Sequence, residues 1–137
     1  MRVGQRVTGE IGEGLLVLVG VAVDDDERDA KMLGDKIAEL RIFPDDKGLM
    51  NRSLAQAGGG ALVVSQFTLL GDVRKGRRPS FITAAREPLA RTLYELVGAT
   101  IAAHGIGVAY GEFGASMDVE LINRGPVTIL LDSKRSF

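Results

Sequence analysis

The chain predicts a mixed α/β domain, and three observations carry that expectation. Two apolar, β-branched runs, Leu15–Val23 and Ala61–Leu70, have the composition of strands buried inside a sheet. Two segments, Glu27–Leu40 and Leu89–Ile101, repeat apolar residues at helical spacing. Short alternating stretches punctuated by glycine supply further strands. A chain of 137 residues is long enough for one core and too short for two, so residues 1–137 are expected to form a single domain.

Composition narrows the function classes. With 17 basic against 18 acidic residues, no uniformly basic nucleic-acid coat is available, and any such contact must be a local patch. The absence of cysteine excludes a disulfide framework and a thiolate metal site, which fits a reducing compartment. The longest apolar run, Leu15–Val23, is interrupted by Gly20 and is far short of a membrane span; no signal-peptide pattern precedes it. A soluble, cytoplasmic protein with no membrane partner is expected.

Taken in order, Val3–Gly12 reads as a strand with a tight turn at each end, marked by Gly4, Gly9 and Gly12. Leu15–Val23 is a continuous strand. Asp24-Asp25-Asp26 lacks the glycine and distal glutamate of a calcium loop, whereas acids just before Glu27–Leu40 cap a helix and complement its dipole. Ala30, Leu33, Ile37 and Leu40 give that helix one apolar stripe. Arg41-Ile42-Phe43 reads as a short strand and Pro44–Gly48 as a turn. Gly58-Gly59-Gly60 precedes a strand and no Lys-Ser or Lys-Thr follows, so it reads as a connector and not a phosphate loop. Pro88 suits the first turn of the second helix, with Leu89, Leu93, Leu96, Val97 and Ile101 on one stripe and Gly105 as its C-cap. His104, the sole histidine, sits at that helix end, an ordinary place for a polar group, and is left out of the site. Gly107–Tyr110, Met117–Asn123 and Val127–Leu131 read as strands, Gly111–Gly114 as a bend and Asp132–Phe137 as a frayed tail.

Two stretches invite chemistry. Ser65, Gln66 and Thr68 fall at the C-terminal end of the central strand, where a fixed backbone meets room for a ligand. From residue types alone two readings stand open: the hydroxyls satisfy backbone groups where the strand leaves the sheet, or they face a substrate. Arg74, Lys75, Arg77 and Arg78 place four cations within five positions of the Gly71–Phe81 loop, as a solvated loop or a phosphate contact would. The usual hydrolase devices are missing: no cysteine, no Gly-x-Ser-x-Gly elbow, no His-Glu-x-x-His motif, and His104 as the only imidazole. That weakens a conventional serine or threonine esterase acting on small esters, and no metal or cofactor is called for.

Ser65-Gln66-Phe67-Thr68, followed by Asn123-Arg124-Gly125-Pro126-Val127-Thr128, resembles the D-aminoacyl-tRNA deacylase (D-tyrosyl-tRNA deacylase) family. The likeness runs from about Gly9 to Leu131 and includes Gly14–Val21, Arg41–Asp45, Gly76–Phe81 and Glu112–Met117. The order of these motifs along one short chain carries it. The resemblance implies a strongly curved or barrel-like arrangement of β layers with two helices packed on one side. It implies hydrolysis of the ester of D-aminoacyl-tRNA, and of glycyl-tRNA mischarged on tRNA(Ala), without a cofactor. Ser65, Gln66, Phe67 and Thr68 would hold the adenosine end and the carbonyl, with Phe113 and Met117, by residue type ordinary core, against the substrate. Arg74, Lys75, Arg77 and Arg78 would meet tRNA phosphates. Gly125 and Pro126 would be the chiral filter: a cis Gly-Pro bond turns neighbouring carbonyl oxygens in one direction, a wall against L side chains. From the hexapeptide alone a trans turn is the ordinary reading, since few X-Pro bonds are cis. The implied partners are aminoacyl-tRNA and a second copy of the chain, with the active site at the interface, and not DNA.

At the N-terminus the likeness is shorter. The family usually begins with an additional strand holding a Gln-Arg pair and then a second strand; either Gln5-Arg6 is that pair with a deletion after it, or Arg2–Val7 is the second strand, the reading favoured by its running into Thr8–Gly12 without a gap. An alternative therefore stands beside the enzyme: a non-catalytic RNA-binding or interaction module that kept the fold and lost the activity.

Overall fold

The computed structural model describes residues 1–125 and 127–137. The chain opens on a tight antiparallel hairpin, β1 (Arg2–Val3) against β2 (Arg6–Val7), turned at Gly4 with φ 60°. The single strand expected over Val3–Gly12 is therefore replaced by a hairpin, because Gly4 adopts the left-handed conformation that a tight turn needs. β3 (Gly14–Val19) follows, then α1 (Glu27–Glu39). Asp26 caps α1 through the N–H groups of Arg28 and Asp29, while the Asp29 carboxylate accepts from the Asp26 N–H, so the aspartate run serves as a capping box.

β4 (Phe43–Pro44) pairs with β5 (Met50–Arg52) around the Asp45 turn, whose carboxylate accepts from the Lys47 and Leu49 N–H groups. A short helix, α2 (Leu54–Ala57), was not foreseen in the sequence; Ser53 and Gln56 cap it reciprocally and Gly58 ends it at φ 73°. β6 (Gly60–Ser65), a 3-10 turn (Phe67–Leu70), α3 (Leu89–Ala102) and β7 (Val108–Tyr110) complete the elements.

The centre is a three-stranded parallel sheet in the order β3-β6-β7, with Gly14 opposite Gly60 and Val19 opposite Ser65. Alternation along β6 divides its side chains between two faces. Ala61 and Val63 join Ala30, Ile37 and Ala38 of α1 and Leu93, Tyr94, Val97 and Ile101 of α3 in the main core. Leu62 and Val64 point the other way, where Met1, Ile11, Leu16 and Met117 cover them. Both long helices thus lie on one side of the sheet. They cross closely at Gly34, where an added Cβ would stand 2.6 Å from the Thr100 side chain.

Four further expected strands are altered. β6 stops at Ser65, because the neighbouring strand reaches Gly20 and the chain folds over that bare backbone; an added Cβ at Gly20 would stand 2.6 Å from the Leu70 side chain and 3.0 Å from Leu69. β3 stops at Val19, and Val21–Val23 turn away to hydrogen-bond with Thr83 and Ala85. Met117–Asn123 and Val127–Leu131 form no strand among the described residues, apart from a bridge of Asp118 to Arg2. Their apolar alternation gives propensity, but a strand also needs a free edge to pair with. Leu121, Ile122, Ile129 and Leu130 are instead exposed.

Candidate active site

All three strands of a parallel sheet end on the same edge, so the segments after Val19, Ser65 and Tyr110 gather there. Ser65 is half-buried at the end of β6, and the Gln66 N–H makes one more bond, 2.8 Å to the Val19 carbonyl. The backbone then winds into the 3-10 turn. Leu69 N–H donates to the Gln66 carbonyl and Gly71 N–H to that of Thr68. The N–H groups of Phe67 and Thr68, first in the turn, have no acceptor among the described residues. The start of any helical turn leaves such donors unspent. The Gln66 amide donates to the Thr68 hydroxyl, and no basic group is hydrogen-bonded to Ser65 or Thr68 among the described residues.

The four-cation loop adjoins this turn. Its base is clasped by two backbone hydrogen bonds between Asp72 and Ser80, 2.8 and 2.9 Å. Phe81 meets Phe67 edge-on at 5.1 Å between ring centroids. Within the loop Arg74 is held by Asp72 through Nε at 2.9 Å and Nη2 at 2.6 Å, and the guanidinium keeps the Asp72 carboxyl down at about 2. Lys75, Arg77 and Arg78 are exposed and have no ion-pair partner among the described residues. Asp72 was missed in the sequence reading; an aspartate two residues before an arginine in a loop was the available signal.

Other expected site residues are more dispersed. Phe113 packs on Tyr94 in the helix-side core, with the Arg91 guanidinium 4.7 Å over its ring. Met117 lies on the opposite face with Met1, Leu62 and Val64, its sulfur accepting from the Glu112 N–H. Tyr94 donates to the Val63 carbonyl, and burial pushes its phenol up to about 12, so it remains a neutral structural donor. His104 is bonded to Asp35 at 2.8 Å, tying the end of α3 to α1. The end of α3 precedes β7, which places His104 by the strand starts, away from Ser65.

Arg124 reaches Glu13 at 3.5 Å, beside the first residue of β3, while Ser65 lies about 16 Å along the sheet from Gly60 at an ordinary strand rise. Asn123 donates to the Thr128 hydroxyl across the bend, and Gly125 has φ 143°, a conformation closed to most side chains. The expected cis bond falls on Pro126, outside the described residues. Within one chain, then, the Gln66–Thr68 turn and the basic loop come together.

The family model described as D-Tyr-tRNA(Tyr) deacylase matches residues 1–132. The chain belongs to this family. It is 57% identical over 137 residues to a D-aminoacyl-tRNA deacylase of Anaeromyxobacter dehalogenans (strain 2CP-C), covering all of this chain and 92% of the relative. It is 53% identical over 130 residues to a Bacillus subtilis (strain 168) protein named as an inactive D-aminoacyl-tRNA deacylase, covering 95% of this chain and 98% of that one. Among solved structures, the c-Myc DNA unwinding element binding protein superposes with a TM-score of 0.78 at 34% identity, over 87% of this chain and 81% of that chain. The deacylase fold accounts for the mixed α/β arrangement expected above. Among the described residues no helix is long and apolar enough to cross a membrane.

Proposed function

We propose that residues 1–137 act as one domain that hydrolyses the ester of D-aminoacyl-tRNA, releasing the free D-amino acid and tRNA. One observation carries the reading: in a chain of the deacylase family, the unspent N–H groups of Phe67 and Thr68 stand beside a loop of cations. Water adds to the ester carbonyl, the carbonyl oxygen takes the negative charge toward those two N–H groups, and the ribose oxygen leaves with a proton. No side chain near the turn serves as a strong base, and an aminoacyl ester is already activated, so positioning supplies much of the rate. The neighbouring ribose hydroxyl of the substrate orients the water. Gln66, held to Thr68, and Ser65 keep the turn in place, while Lys75, Arg77 and Arg78 meet phosphates and Arg74 stiffens the loop through Asp72.

Chirality is assigned to Gly125 and Pro126 of a second copy. In one chain Arg124 reaches Glu13 beside the strand-start end of the sheet, which supports a filter supplied by the second copy. Exposed Leu121, Ile122, Ile129 and Leu130 offer an apolar surface for such a homodimer. Phe113 and Met117, flanking the strand ends from the two faces, bound the substrate side. Glycyl-tRNA mischarged on tRNA(Ala) enters as well, having no side chain to exclude. The test is incubation with D-tyrosyl-tRNA and L-tyrosyl-tRNA: loss of the D ester alone is expected, and equal persistence of both would end the enzyme reading.

The inactive relative from Bacillus subtilis gives a second reading its support: a fold retained for RNA binding or protein interaction without turnover. Filter binding of deacylated tRNA, with duplex DNA as competitor, tells the two apart. Retention of tRNA with no ester cleavage favours the module.

A further inference from the structure

The contact between Phe67 and Phe81 joins two features that the proposed function uses separately. Phe67 belongs to the turn that offers its N–H to the ester carbonyl, and Phe81 closes the loop that carries Lys75, Arg77 and Arg78. Their rings meet edge to face, 5.1 Å apart at 70°. Gly71, at the exit of the turn, is closely packed: a Cβ there would stand 3.0 Å from the Phe81 ring and from the Thr68 carbonyl. Beyond Phe81 the chain is bonded to the segment after β3 at Thr83 and Ala85. Before it, Ser80 is doubly bonded to Asp72. The loop base is therefore fixed at both ends, and Phe81 is the side chain that bears on the turn.

We propose that Phe81 is a positioning residue: it transmits the seating of a phosphodiester backbone on Arg77 and Arg78 to the Phe67–Thr68 turn, so that phosphate contact sets the acyl site. The inference rests on the deacylase reading. Interactions with a remote part of a substrate raise turnover when they are used to place the reacting centre, and an aromatic pair at the base of the contact loop is a rigid means of doing so. A structural role alone would lower stability and affect every substrate alike. The coupling role affects only substrates that carry phosphates for the loop to hold.

The experiment compares D-tyrosyl-tRNA with 3′-O-D-tyrosyl-adenosine, the same ester without a phosphate backbone, for wild type, Phe81→Leu and Phe81→Tyr, with melting temperatures measured alongside. Phe81→Leu is expected to lower kcat on the tRNA ester by about tenfold, to leave its KM within about twofold, and to leave turnover of the adenosine ester unchanged. Phe81→Tyr, which keeps the ring, restores the tRNA turnover. Arg77→Ala with Arg78→Ala is expected to raise KM for the tRNA ester and to lower its kcat as well, because the contact that sets the turn is lost. Equal losses on both esters, or a change confined to KM, would overturn the coupling while leaving the deacylase reading intact. A wild-type protein inactive on both D esters would remove both. Should Phe81→Leu fail to fold, Phe81→Met, which keeps an apolar side chain of similar length without the ring, carries the same comparison, with the same two outcomes deciding it.

Discussion

Ser65 and Thr68 are hydroxyls without a base, and this decides what their loss can do. Thr68 accepts from the Gln66 amide, so Thr68→Ala removes one acceptor, while the Ser65 hydroxyl has no hydrogen-bond partner among the described residues for Ser65→Ala to remove. Each is expected to lower kcat by less than about tenfold, the worth of a single neutral hydrogen bond. A true nucleophile would cost about a thousandfold or more on removal. Single-turnover assays on D-tyrosyl-tRNA separate the two outcomes. The cations of the loop act at longer range. Arg77→Ala and Arg78→Ala should each make the dependence of log K for tRNA on log salt shallower by about one. Asp72→Asn should not, because Arg74 is already spent on its own loop. A titration of tRNA affinity from low to moderate salt checks all three variants together. Phe113 and Met117 illustrate what residue type hides: both have core partners, on opposite faces of one sheet, and only their nearness to the strand ends connects them to the substrate.

At the scale of elements, the two long helices and the first parts of β3 and β6 were legible because their signals are local. Asp26 ahead of an acidic first turn, the stripe Ala30–Leu33–Ile37 and the stripe Leu89–Leu93–Val97–Ile101 need only neighbours in sequence to be read. Where strands end was not legible, since β6 stops at Ser65 on account of Gly20, which follows the end of another strand. Ile101 is fully buried between the helices and the sheet, so Ile101→Ala should lower stability by about 2–5 kcal/mol in urea unfolding. The tail read as frayed holds one latch: Lys134 bridges Asp25 at 3.1 Å and Asp29 at 2.8 Å, binding the chain end to the first turn of α1. The bond from Lys134, first among its causes, brings the Asp29 carboxyl down to about 2 from an ordinary 3.8. A carboxyl lowered on folding stabilises fully above its unfolded value and loses that contribution as pH falls toward its folded one. The melting-temperature gap between wild type and Lys134→Ala is therefore expected to be constant above pH 5 and to close between about pH 4 and pH 2. The gap is small, because the pair is partly exposed.

On the scale of the whole molecule, one chain presents an incomplete arrangement. The Phe67–Leu70 turn lies at the strand ends, Arg124 beside Gly125 reaches Glu13 at the strand starts, and the segments on either side carry exposed Leu121, Ile122, Ile129 and Leu130. Sequence order brought the two motifs to notice but could not show that Arg124 and the turn lie toward opposite ends of the sheet, because that depends on the parallel register of β3 with β6. A second copy resolves this if its Gly125 bend enters the first copy's site, and the resulting prediction concerns mixtures. Gly125→Val forces a side chain into a conformation closed to it and should spoil the filter, so this variant should cleave L-tyrosyl-tRNA as well as the D ester. Phe67→Arg, which places a bulky cation on the turn, should cleave neither. When Gly125→Val is exchanged with a tenfold excess of Phe67→Arg, about nine in ten of its protomers pair with an intact filter. Cleavage of the L ester should then fall by about tenfold while cleavage of the D ester by the same protomers persists. A filter acting within its own chain predicts no change in either rate. A dimer that forms without altering the ratio of L to D cleavage would show the apolar surface to be an interface and the chiral wall to lie elsewhere.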